Sequence, residues 1–92
     1  MNDNDRQVTL ITGRASRQKD GPAEGIHVML VAPDDDTAVK MALQALTAEG
    51  YASAELDRIG DMDEMPEEEP HASAYQGALE GEVAIVTFDE PF

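Results

Sequence analysis

From Ile59 to Phe92 the chain carries ten carboxylates (Asp61, Asp63, Glu64, Glu67, Glu68, Glu69, Glu80, Glu82, Asp89, Glu90) and no lysine or arginine. Such a stretch cannot neutralise itself. It must lie in water or against cations supplied from elsewhere, and its self-repulsion opposes any compact state. The remainder offers little relief: residues 1–19 are net positive by 2, whereas residues 20–92 carry −16, with Lys40 and Arg58 as their cations. A net charge of −14 opposes direct binding to a nucleic-acid backbone or to an anionic membrane.

Ninety-two residues support one small domain, 1–92, and not two separate ones. With no cysteine there is no disulfide, thiolate ligand or thiol nucleophile. The opening "MNDNDRQVTLIT" lacks the basic-then-apolar pattern of a signal peptide, and no apolar run approaches the roughly 18 residues of a membrane span. The expectation is a soluble, cytoplasmic protein.

Periodicity predicts six elements. Gln7 to Thr12 alternates in the manner of a strand and stops at Gly13. Residues 14–25, "RASRQKDGPAEG", hold no apolar side chain larger than alanine and read as a flexible loop. Ile26 to Ala32 is apolar on both faces, which suits an interior strand. Asp34, Asp35 and Asp36 supply the cap and first-turn carboxylates of a helix. Its apolar positions are Val39, Ala42, Leu43 and Leu46, and Gly50 stands where a left-handed C-cap is wanted.

Ala52, Ala54 and Leu56 alternate with Ser53, Glu55 and Asp57, giving a half-exposed strand at or near an edge. Gly60 to Glu69 is an acidic connector. A helix beginning at Pro70 places Ala72, Tyr75 and Leu79 on one face and ends by Gly81. Glu82 to Phe88 is apolar on both faces and reads as a second interior strand, and residues 89–92 as a tail in which Phe92 could form a small apolar hook.

The order β-β-α-β-α-β implies an α+β two-layer sandwich, a four-stranded mixed sheet with two helices on one face. In layout this resembles the ferredoxin-like class of architectures, but that class begins β-α-β, and residues 14–25 lack the periodicity of a first helix. With both helices on one side, the other face stays open. Met29, Val31, Ile85 and Phe88 would then form an apolar patch for self-association, unless the 14–25 loop or the tail folds over it.

Catalytic and cofactor signatures are sparse. His27, inside a strand, reads as a structural histidine and His71, beside "EEEP", as a surface one; 44 residues apart and without a zinc-type spacing, they do not suggest a metal site. Asp61 and Asp63 begin like a calcium loop, but Met65 replaces the third ligand and Pro66 stands where glycine makes the turn. Ser16, Ser53 and Ser73 lie in no nucleophile motif, and no glycine-rich phosphate loop is present. No cofactor and no catalytic residue is implied.

The leading expectation is therefore a non-enzymatic acidic protein-binding module in which Asp61, Asp63, Glu64, Glu67, Glu68, Glu69, Glu80 and Glu82, with Asp89 and Glu90, dock on a basic protein surface. That partner could be a nucleic-acid-binding protein, with this chain as its inhibitor, immunity protein or nucleic-acid mimic. The alternative is a self-associating regulatory or small-ligand-binding domain, a homodimer built on the open sheet face. A small enzyme is a third class, and charge that serves only solubility competes with all three.

Overall fold

The computed structural model describes residues 7–88. Its elements run β1 (Val8–Ser16), β2 (Glu24–Leu30), α1 (Asp35–Ala48), β3 (Ser53–Met62), α2 (His71–Leu79) and β4 (Ala84–Phe88). The strands form one sheet in the order β3-β1-β2-β4, and every neighbouring pair is antiparallel. The α+β class, the four strands, the two helices and their order are those the sequence implies. The sheet is not mixed: β2 and β3 do run parallel to each other, but β1 lies between them.

The β1–β2 hairpin is longer than its composition suggests. Arg14, Ala15 and Ser16 pair with β3, and Glu24 and Gly25 with β1, so the 14–25 loop contracts to residues 17–23. The polar side chains there are accommodated because β3 is itself polar and lies at the edge: Arg14 donates to Glu55 across the pair at 2.7 Å.

One irregularity fixes which residues of β3 face inward. Gly13 pairs with Leu56 but Thr12 pairs with Arg58, leaving Asp57 as an extra residue, a β-bulge. The bulge shifts the alternation so that Ile59 falls opposite Ile11, on the same face as Leu56 opposite Gly13. At this point the strands come so close that a Cβ on Gly13 would lie 2.1 Å from the Glu55 carbonyl oxygen and 2.9 Å from the Leu56 Cα.

The helices divide between the two faces. α1 buries Ala38, Ala42 and Leu46 against Ile11, Ala15, Ile26, Val28 and Leu30. α2 buries Ala74 and Ala78 against Val8, Met29 and Val86. Successive β2 residues point to opposite faces, so Val28 and Leu30 under α1 and Met29 under α2 place one helix on each side. This corrects the expectation of two helices on one face. It also explains why β2 and β4 are apolar on both sides: two covered faces produce that pattern whether or not a strand is central. β2 is interior, as expected, but β4 is an edge strand.

The open apolar face disappears with that correction. Met29 is 0% exposed beneath α2, Val31 and Phe88 pack into the same cluster, and Ile85 belongs to the α1 cluster on the other side. The four residues line no common surface. The buried stripe of α1 is also rotated by about one position from the one centred on Leu43: small Ala38 and Ala42 meet the large sheet side chains, and Leu43 is left 41% exposed. The readings of Asp89, Glu90 and the Phe92 hook lie outside the described residues.

Candidate functional site

Residues 63–70 leave β3 at one edge of the sheet and lead to the start of α2. That start lies by the β2–β4 pair, where His71 meets His27 and Phe88. The connector thus carries the chain past β1. α2 begins at His71 with Pro70 as its N-cap, one residue later than the start at Pro70 that the sequence predicts, and the Ala72 amide donates back to the Glu68 carbonyl at 2.9 Å. Glu69 turns back to accept the Ser73 amide at 3.1 Å, a carboxylate where the first turn of a helix favours one.

The connector encloses a shallow groove of about 550 Å³. Glu64, Glu67, Glu68 and Glu69 line it together with Met62, Met65, Pro66 and His71. Asp63 adjoins and accepts the Gln7 amide at 3.1 Å. The other expected docking residues lie elsewhere. Asp61 is opposite Thr9, which is opposite Leu30, and so faces the α1 side. Glu80 and Glu82 follow the far end of α2, about 13 Å away along its nine residues; Glu80 accepts from Gln76 there. The acidic set therefore resolves into one cluster at 63–69 and two outlying groups.

The described arginines at the hairpin end are committed elsewhere. Arg14 pairs with Glu55 at 2.7 Å and approaches Asp57 at 3.9 Å. Arg17 stacks over the Tyr51 ring at 4.3 Å and donates to the Glu49 carbonyl at 2.8 Å. Tyr51 in turn donates to Glu24 at 2.9 Å; burial, then the Glu24 carboxylate, raise its phenol pKa above the ordinary tyrosine value. Among the described residues no lysine or arginine lies within ion-pairing distance of the groove carboxylates.

One constellation escapes the sequence reading. His27 Nδ1 and His71 Nε2 lie 2.9 Å apart, one nitrogen donating to the other. Phe88 stands edge-on to His27, centroids 4.7 Å apart, and stacks on His71 at 5.8 Å. Burial, then the facing His71 ring, lower the His27 pKa below the ordinary histidine value. Two residues 44 positions apart leave no local pattern. The available signal is that His27 shares its β2 face with Met29, and it becomes useful only once α2 has been assigned to that face. Among the described residues no three histidine, cysteine, aspartate or glutamate side chains converge as metal ligands, and no helix is long and apolar enough to cross a membrane. The chain matches no protein-family model, no curated protein and no solved structure.

Proposed function

We propose that this protein is a non-enzymatic docking module whose acidic connector engages a basic surface on another protein in the cytoplasm. The observation that carries the reading is the ring of Glu64, Glu67, Glu68 and Glu69 around one groove, with no described lysine or arginine close enough to pair with it. A partner that brings lysines or arginines supplies counter-charge to these carboxylates. The partners whose surfaces already hold a row of cations are nucleic-acid-binding proteins, because carboxylates at suitable spacing can stand where phosphates would; inhibition by mimicry is the function this suggests. Such complementarity raises the association rate and makes the complex sensitive to salt.

A charge-matched pair of variants separates local docking from bulk acidity. Glu67→Gln with Glu68→Gln removes two charges at the groove; Glu80→Gln with Glu82→Gln removes two beyond α2. Binding to an arginine-rich peptide, followed by fluorescence anisotropy across a salt series, should weaken several-fold more in the first variant than in the second. Equal loss in both would mean that the acidity acts as a diffuse field, as charge kept for solubility would.

A further inference from the structure

We infer that His27 and His71 form a proton-operated latch: with at most one added proton the pair ties the first turn of α2 to the sheet, and a second added proton opens it. The latch does not depend on the docking role. Its basis is the 2.9 Å contact between a nitrogen from the middle of β2 and one from the first residue of α2. A neutral pair holds one N–H···N bond. One added proton leaves an imidazolium donating to a neutral ring, a stronger, charge-assisted bond. A second added proton leaves two donors and no acceptor, and two positive rings at hydrogen-bond distance repel each other.

The charged groups on the described elements packed around the pair are these. α2 contributes no charged side chain after His71, and β4 none within Ala84–Phe88. On β1, Arg14 shares the face of Thr12, the residue opposite His27, but its guanidinium is held by Glu55. On β3, Arg58 lies opposite Thr12 and Glu55 opposite Arg14, both on that face. From the connector, Glu67, Glu68 and Glu69 line the groove beside His71, with Glu69 bound to the Ser73 amide. Phe88 packs against both rings and restricts water that would otherwise solvate a doubly charged pair.

The sign follows from the lowered His27 pKa: the folded protein binds that proton less readily than the unfolded chain does. The latch is closed above the ordinary histidine value of 6.5 and weakens as pH falls through it toward the folded value. The test is a nuclear magnetic resonance titration of the whole chain from pH 8 to pH 5. Both rings should titrate in steps belonging to the pair, and the Ala72, Ser73 and Ala74 amides should respond to the second step, the open population growing by up to about tenfold per pH unit as pH falls from 6.5 toward that step and levelling off below it. His71→Gln keeps a donor facing His27 but cannot be charged. It should abolish the amide response and move the His27 titration upward; His27→Gln should likewise remove the amide response. Amides of the α2 first turn that ignore pH while both rings titrate, or a response that survives both glutamine variants, would overturn the latch.

Discussion

Gly13 and Asp34 show how differently single positions can matter. A Cβ on Gly13 would collide with β3 backbone, which cannot swing aside as a side chain could. Gly13→Ala should therefore destabilise the fold by about 1–3 kcal/mol, read from denaturant unfolding; an unchanged midpoint would mean that the bulge has room to move. Asp34 does its work within one turn. Its carboxylate accepts the Thr37 amide at 2.7 Å, and that backbone hydrogen bond holds its pKa below the ordinary aspartate value. The cap was legible in the sequence because donor and acceptor are three residues apart. The His27–His71 contact was not, because it exists only when β2, α2 and β4 are all in place.

Local chemistry also explains which elements could be read. α1 declared itself through its cap and its apolar spacing, and α2 through the proline before it. Their rotation could not be read: whether Leu43 or Ala42 faces the sheet depends on how closely the helix approaches strands carrying Ile11, Val28 and Leu30. The last strand was misplaced for a related reason, since coverage by a helix on each face and burial in the middle of a sheet leave the same apolar imprint. Within α2, Gly77 is a weak point, and its would-be Cβ lies 3.1 Å from the end of the exposed Glu82 side chain, which can move. Gly77→Ala should stabilise the protein by up to about 1 kcal/mol through helix propensity, visible as a higher melting temperature. A lower one would show that Glu82 is held in place.

At the level of the molecule, a four-stranded sheet with one helix on each side has a core in two thin layers, one under α1 and one under α2. Each layer relies on small helix residues, Ala38 and Ala42 or Ala74 and Ala78, for close approach. Against these thin layers stands a net charge of −14. Raising sodium chloride from 10 to 500 mM should lift the melting temperature, by about 4–8 °C for each kcal/mol of repulsion screened. Converting Glu67, Glu68 and Glu69 together to glutamine should shrink that response. A melting temperature indifferent to salt would mean that the carboxylates are too dispersed to strain the fold. The charge imbalance was plain in the sequence; its gathering around one groove, with Asp61, Glu80 and Glu82 left out, needed the path of the chain.

The place of β4 bears on how the molecule assembles. β1 and β2 are neighbours in the chain and can zip together early, whereas β4 must reach back to Gly25 and Met29 from Phe88 and Ala84. Until it does, β2 presents a bare hydrogen-bonding edge and Met29 lacks part of its cover, the kind of surface on which nascent chains stick to one another. Folding should thus end with a closing step, in which β4 docks and α2 settles over the strand it shares with the hairpin.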